Sequence, residues 1–425
     1  MQTNFCKIEA CRYNNFLAFG LNQYRVWSNR LSKGEYISLF RFVNLKKLVF
    51  LYFETLLFME SLKNTKNYFI IMAGGIGSRF WPMSRVRKPK QFIDVLGTGE
   101  TLLQATFRRA KQICPVENIY IVTSKLYSDM VSEDLADCHK ENILCEPVRR
   151  NTAPCIAYAM CRIEQKCKDA LVLVMPSDHF IMDEENFNEQ IHKGFAFAEK
   201  EKVLICLGIK ASYPNTGYGY IQYLSEKTAK DDNGIRKVKL FTEKPAYEMA
   251  CRFVESGDFL WNAGIFIWSA EAIGEAFAKF LPEINDALSQ GEQIWNTDEE
   301  EEFIEKAYSV CPSISIDYGV MEKAENVYVI KSDFGWSDVG TWGALYDVLP
   351  KDDNGNSVTG KNVMLYDCKD CMINVPKDKL LVLQGLEDYM VIESDGVLMM
   401  CRRGEEQRIK QFITDVEVEM GSDYI

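Results

Sequence analysis

The chain has 425 residues, 47% hydrophobic and 12% aromatic, with a formal net charge of −12; that suffices for roughly two or three domains with sizeable cores and excludes a mostly disordered chain. The acidic balance argues against a duplex-DNA binder, which presents a basic face, and no uninterrupted apolar stretch reaches the ~20 residues of a membrane-spanning helix. Fourteen cysteines, scattered without a framework, read as mostly reduced, buried, small apolar residues of a cytoplasmic protein.

Residues 1–58 differ from the rest of the chain: they carry Glu9, Glu35 and Glu54 but no Asp, and their aromatics follow neither a helix nor a strand period. Residues 1–60 are therefore expected to be an N-terminal extension outside the fold, with the physiological protein starting near Met59. The stretch that organises the chain is 68–92. Phe69 to Ala73 is an apolar run of a buried strand, and Gly74, Gly75 and Gly77 let the backbone turn sharply at its end. Arg79, Arg85, Arg87, Lys88 and Lys90 follow, and no acidic residue lies between Tyr68 and Phe92. Exposed backbone N–H groups followed by concentrated positive charge suit a polyphosphate, so a nucleoside triphosphate is expected here. Phe80 occupies the place of a third dinucleotide-fold glycine, and no GxxxxGK[ST] occurs, which argues against a dehydrogenase and a P-loop NTPase.

From 68 onward, strands predicted at 68–73, 119–123, 142–145, 170–175 and 203–209 alternate with helices at 101–113, 153–167 and 186–200. This is the signature of a mostly parallel sheet covered by helices, with ligands beyond the carboxyl ends of its strands. Pro176-Ser-Asp-His179 closes the fully apolar strand 170–175. Asp178 there is read as a metal ligand in preference to a helix cap, and His179 as orienting the loop. After 215 come extended pieces at 216–223, 238–245 and 260–268, then helical residues at 269–309. Glu243-Lys244-Pro245 closes one strand, where Lys244 could neutralise a phosphate and Glu243 could accept sugar hydroxyls. Asn262 sits in a turn, as apt for a turn-former as for a sugar ligand. Asp338 lies in a Gly-flanked loop after the strand 327–330, and two carboxylates with phosphate oxygens suit Mg²⁺. Short strands at 361–366, 371–375, 380–384, 389–393 and 397–401 and a helix near 405–413 predict a small β-rich unit over 351–425. Cys368-Lys-Asp-Cys371 has no second pair and no nearby His, which reads as coincidence rather than a zinc site.

Gly74-Gly-Ile-Gly-Ser-Arg-Phe-Trp-Pro-Met-Ser-Arg85, Pro89-Lys-Gln-Phe92, Glu146-Pro-Val-Arg-Arg-Asn-Thr-Ala-Pro154, Pro176-Ser-Asp-His179, Phe241-Thr-Glu-Lys-Pro245, Trp261-Asn-Ala-Gly-Ile-Phe266 and Trp336-Ser-Asp-Val-Gly-Thr-Trp342 together resemble, in order, the sugar-1-phosphate nucleotidyltransferases, in their mannose-1-phosphate guanylyltransferase branch. The resemblance covers about 68–350. It implies an α/β, Rossmann-like, mixed and mostly parallel nucleotidyltransferase core over 61–350, followed by the β-rich unit. It implies GTP and mannose 1-phosphate as substrates, no nucleic-acid or membrane partner, and Mg²⁺ as cofactor. By resemblance, Gly74, Gly75, Gly77 and Ser78 cradle the GTP phosphates; Arg79 and Lys90 contact the triphosphate; Asp178 and Asp338 hold Mg²⁺. Lys244 meets the sugar phosphate, Glu243, Asn262 and Gly217 address the mannose, and Glu146, Asn151 and Thr152 could read guanine. Some relatives carry a metal-dependent isomerase domain, but the last histidine here is His192, so the tail is expected to serve packing or homodimer formation. A uridylyl- or thymidylyltransferase and a non-catalytic sugar-nucleotide sensor are the rival readings.

Overall fold

The computed structural model describes residues 66–224, 234–291 and 293–425. The contacts divide the chain into Met1–Asn64 and Thr65–Ile425, and the expected extension at 1–60 lies outside the described residues.

The strands of the second unit are β1 (Asn67–Met72), β2 (Ile119–Ser124), β3 (Ile143–Glu146), β4 (Leu171–Pro176), β5 (Phe180–Ile181), β6 (Leu204–Lys210), β7 (Tyr220–Tyr223), β8 (Ile235–Thr242), β9 (Phe259–Ser269), β10 (Val327–Ser332) and β11 (Trp336–Ser337). Helices α1 (Leu102–Ala110), α2 (Ser128–Asp134), α3 (Thr152–Lys166), α4 (Glu184–Lys200), α5 (Tyr247–Ser256), α6 (Ala270–Phe280), α7 (Pro282–Ser289), α8 (Glu300–Val310) and α9 (Trp342–Val348) lie between or after them. Nine strands form one sheet in the order β3-β2-β1-β4-β9-β6-β10-β8-β7, and all but β8 and β9 run in one direction. The mixed, mostly parallel α/β sheet is the one expected.

Strands β1 and β4 are apolar over 68–72 and 171–176 because both faces are covered, and successive side chains serve opposite cores. Ile70, Val172 and Val174 face a core completed by Ile156 of α3, Ile273 of α6 and Ile304 of α8. Phe69, Ile71 and Leu173 face one completed by Phe107 of α1 and Ile191 of α4. Thr101 and Gln104 form a reciprocal capping box at the start of α1. On the first face, α8 is joined to α3 by a buried ion pair: Arg162 Nη1 lies 2.5 Å from Glu300 Oε1, with 6% and 9% of the two side chains exposed. The Tyr158 hydroxyl donates to the same carboxylate at 2.7 Å. Arg162→Ala would leave that carboxylate buried without its cation, so a loss of about 3–5 kcal/mol is expected, read as a lowered urea midpoint; an unchanged midpoint would show the pair to be dispensable.

Beyond α9 come β12 (Ser357–Thr359), β13 (Asn362–Tyr366), β14 (Met372–Asn374), β15 (Leu380–Gln384), β16 (Tyr389–Ser394), β17 (Val397–Arg402) and α10 (Ile409–Met420). Five of these strands fall where the sequence places them, and β12 is additional. The pairings β12–β14, β14–β16 and β13–β15 are parallel, so the tail winds as a short β-solenoid. The helix begins after a 3₁₀ segment at Arg403–Arg408 and runs to Met420, further than expected. Met372, Met390, Ile392, Met399 and Ile409 share a core with Phe80, Trp81 and Trp342, which packs the solenoid against the turn following β1. Cys368 and Cys371 are buried in a small core of the tail, and their thiols donate to backbone carbonyls. No helix of the described residues is long and apolar enough to cross a membrane.

Candidate active site

The chain runs β1 to β2 to β3 on one side of the sheet and then places β4 on the other side of β1. At such a reversal the loops leaving two parallel strands diverge and open a crevice at their carboxyl ends. The glycine-rich turn leaves β1 there, and Ser177-Asp178-His179 leaves β4. Residues 160 positions further on reach the same place through a two-stranded ribbon: β11 pairs with β5, with Trp336 opposite Ile181 and Ser337 opposite Phe180. Asp338 is the next residue.

Lys90 holds these loops together. Its ammonium lies 2.9 Å from Asp178 Oδ2, 3.3 Å from the Asp178 carbonyl and 2.8 Å from the Asp338 carbonyl, and only 2% of its side chain is exposed. Gly77, at φ 68°, passes directly over it: a Cβ there would stand 2.4 Å from Lys90 Cβ. Desolvation works to raise the Asp178 carboxyl, but the charge and hydrogen bond of Lys90 outweigh it and hold the group below its ordinary value. A third of the Asp178 side chain remains open to solvent. Asp338 Oδ1 accepts from the Tyr218 hydroxyl at 2.8 Å and from Gly340 N at 2.9 Å. Burial pushes His179 down to about 4, so it is neutral near pH 7. Its Nδ1 accepts from Trp336 Nε1 at 3.3 Å, in keeping with an orienting part.

Not every cation of the cluster faces the crevice. Arg79 and Ser78 lie in a 3₁₀ turn, both exposed. Arg85 does not belong with them: the residue is 2% exposed, and its guanidinium donates to the carbonyls of Ser394, at 2.9 Å, and Asp395, at 3.1 Å. The polyphosphate cluster read from the sequence is therefore smaller, because the tail supplies Arg85 with buried acceptors.

On one flank, a cleft of ≈ 320 Å³ is lined by Gly74, Gly75, Glu146, Arg149, Asn151, Thr152 and Asp178, among others. Asn151, at φ 67°, caps α3 by accepting from Thr152 N at 2.9 Å, and Thr152 Oγ1 accepts from Ile316 N at 2.9 Å. Those two oxygens serve the fold. Glu146 is 6% exposed; burial raises its carboxyl to about 7, against the Tyr308 hydrogen bond and the Arg149 charge.

On the other flank, Lys244 Nζ lies 2.6 Å from Glu243 Oε1, while Glu243 Oε2 is buried without a partner among the described residues. An unpaired buried acceptor is costly unless a ligand supplies a donor. Asn262 accepts from Gly264 N at 3.0 Å and donates to Asp317 Oδ1 at 2.8 Å. Burial, and then the neighbouring Glu243, push Asp317 up to about 6. Gly217 is exposed on the same segment, but Gly219 makes the close approach: a Cβ on it would stand 2.3 Å from Glu243 Oε2. Sequence reasoning missed Tyr218, Gly219, Asp317 and Tyr308. The second glycine of Thr216-Gly-Tyr-Gly219 was the available signal for one of them.

The donor chemistry fits a hard divalent cation. Asp178 and Asp338 are carboxylates at one crevice, and Mg²⁺ takes one or two such ligands and keeps several waters. Among the described residues no group of three or more His, Cys, Asp and Glu could hold a metal.

Comparison with known proteins identifies the family. Residues 68–355 match the family model described as nucleotidyl transferase. The alginate biosynthesis protein AlgA of Pseudomonas putida is 36% identical over 352 residues, 82% of this chain and 71% of that protein. The mannose-1-phosphate guanylyltransferase of Klebsiella pneumoniae is 34% identical over 362 residues, 84% of this chain and 75% of that protein. A crystal structure from Thermus thermophilus, described as a mannose-1-phosphate geranyltransferase, superposes with a TM-score of 0.74 at 30% identity, covering 83% of this chain and all of that one. Matched by that family model over more than half of its length, the chain belongs to the nucleotidyl transferase family.

Proposed function

We propose that this enzyme transfers GMP from GTP to α-D-mannose 1-phosphate, releasing pyrophosphate and GDP-mannose. The observation that carries the reading is the meeting of the 74–90 turn, Asp178 and Asp338 around the Lys90 ammonium. The backbone of Gly74, Gly75, Gly77 and Ser78 takes the triphosphate, with the exposed Arg79 on the departing pyrophosphate. Lys90 keeps Asp178 ionised and both loops in register. Glu146, Asn151 and Thr152 flank the base, and Glu146 is the group with acceptor capacity to spare. Lys244 neutralises the sugar phosphate, while Glu243, Asn262 and the segment at Gly217 address the mannose hydroxyls; the orphaned Glu243 oxygen supports this.

A sugar-phosphate oxygen attacks the α-phosphorus in line, one O–P bond forming as the bond to pyrophosphate breaks. Positioning and charge stabilisation suffice for such a transfer, and the neutral His179 is not required as a base. Asp178 and Asp338 would hold Mg²⁺, which when bound offsets charge on the phosphate oxygens. The test is pyrophosphate release from each of the four NTPs with mannose 1-phosphate, with and without Mg²⁺. Release is expected with GTP and only with the metal. A preference for another NTP would overturn the base assignment, and binding without turnover would overturn catalysis.

A further inference from the structure

We propose that Tyr308, reaching in from α8, is the positioning residue that fixes the Glu146 carboxylate against the guanine of GTP and so sets the nucleotide preference. This deepens the reading above and rests on it. The Tyr308 hydroxyl donates to Glu146 Oε1 at 3.1 Å, and Tyr308 is fully buried. Glu146 ends β3 at the wall of the cleft that starts at the glycine turn: its Oε2 lies 3.5 Å from where a Cβ on Gly74 would stand. One carboxylate oxygen is thus held from the protein side while the other borders the nucleotide cleft.

Tyr308 is itself fixed. Arg150 Nε donates to its carbonyl at 3.1 Å, its ring meets that of Tyr158 edge-on with centroids 6.3 Å apart, and Arg162 with Tyr158 grips Glu300 at the start of the same helix. A carboxylate so placed discriminates by chemistry. Guanine presents N–H donors at N1 and N2, whereas adenine presents an acceptor at N1, which a fixed acceptor rejects. Without Tyr308 the buried carboxylate would lose its only described side-chain donor and could both turn away and take up a proton.

The groups facing Glu146 are Tyr308 from α8, Arg149 from its own loop and Cys155 from α3. The hydrogen bond from Tyr308 favours the ionised carboxylate, so deleting it moves protonation to higher pH. The experiment compares steady-state kinetics of the full-length wild type, Tyr308→Phe, Glu146→Gln and the double variant with GTP, ITP and ATP across pH 5.5–9 (roughly, spanning the carboxyl's shifted range). Tyr308→Phe is expected to raise KM for GTP on the order of 10-fold with kcat and KM for mannose 1-phosphate little changed. The acid limb of kcat/KM for GTP should move to higher pH, and the GTP-over-ATP ratio should shrink. In the Glu146→Gln background the same change should add nothing. Tyr308→Met, of similar reach but without a donor, gives the same readout should the phenylalanine variant fold poorly. An unaltered KM and pH profile in Tyr308→Phe, where the wild type does select GTP, or additive effects in the double variant, overturns the proposal. A wild type indifferent to the base overturns the functional reading itself.

Discussion

Lys90→Ala is expected to cut turnover by about 10²–10³-fold, the usual cost of deleting one preorganised electrostatic group, and to weaken the fold at the same time. Both follow from where the ammonium sits. It is nearly inaccessible and bonded to Asp178 and to the Asp338 carbonyl, so alanine removes its ties to both loops and leaves the β5–β11 ribbon to join them. A fully buried pair broken on one side costs about 3–5 kcal/mol; with a third of Asp178 open to water, about 1–3 kcal/mol is the reasonable expectation. The pH dependence has a defined sign. Asp178 is held below its ordinary value, so its contribution to stability is present above that value and lost as pH falls through the lower, folded one. In Lys90→Ala this acid-side loss should be reduced, because the carboxyl no longer has the cation that depresses it. Single-turnover rates and urea midpoints between about pH 3 and 7 read both effects. Near-normal turnover would remove Lys90 from the machinery, whatever happened to the midpoint.

What could be read from the sequence divides along physical lines. The strands 68–73 and 170–175 and the glycine turn were legible because burial on both faces leaves an unbroken apolar run and a sharp turn leaves glycine. The meeting of Asp178 with Asp338 was not legible from periodicity: the ribbon joining their loops has two residues per strand, too few to show an alternation. The tail announced its strands by regular spacing, but a period of two does not say whether neighbours run parallel, so the solenoid was invisible. Arg85 was misplaced for a related reason. Five cations within twelve residues look like one electrostatic feature, yet a long side chain goes where acceptors are, and the nearest acceptors of Arg85 are carbonyls more than 300 residues away. Tyr308 lay near the end of a stretch read only as helical, and Asp317 in a stretch assigned no element; only the fold shows that each touches a polar group of the crevice.

The same misplacement leads to the second large effect: Arg85→Ala is expected to destabilise the chain on the order of 3–5 kcal/mol and to loosen the tail from the turn. The guanidinium reaches the carbonyls of Pro82 at 3.3 Å, Ser394 at 2.9 Å, Asp395 at 3.1 Å and Asp423 at 3.5 Å. Burial lowers its pKa from the ordinary arginine value, opposed by Asp395, and it remains charged at any working pH. Each acceptor left without a donor costs about 1–3 kcal/mol where water cannot replace it; the two longer bonds contribute less, which sets the upper end. Two neighbouring contacts act along the same seam: Trp81 Nε1 donates to the Tyr424 carbonyl at 2.8 Å, and Trp342 Nε1 to the Trp81 carbonyl at 3.2 Å. Because Arg79 and Lys90 flank this segment, freeing it should also lower turnover, on the order of 10-fold for a small misplacement of positioning groups. Limited proteolysis and urea unfolding, followed alongside kcat, separate the parts. New cleavage within 394–425 with a lower midpoint is the expected pattern. A tail as resistant as in the wild type, with a midpoint unchanged, would mean that the apolar seam of Phe80, Trp342 and Met390 holds the solenoid by itself and that the buried guanidinium only fills space.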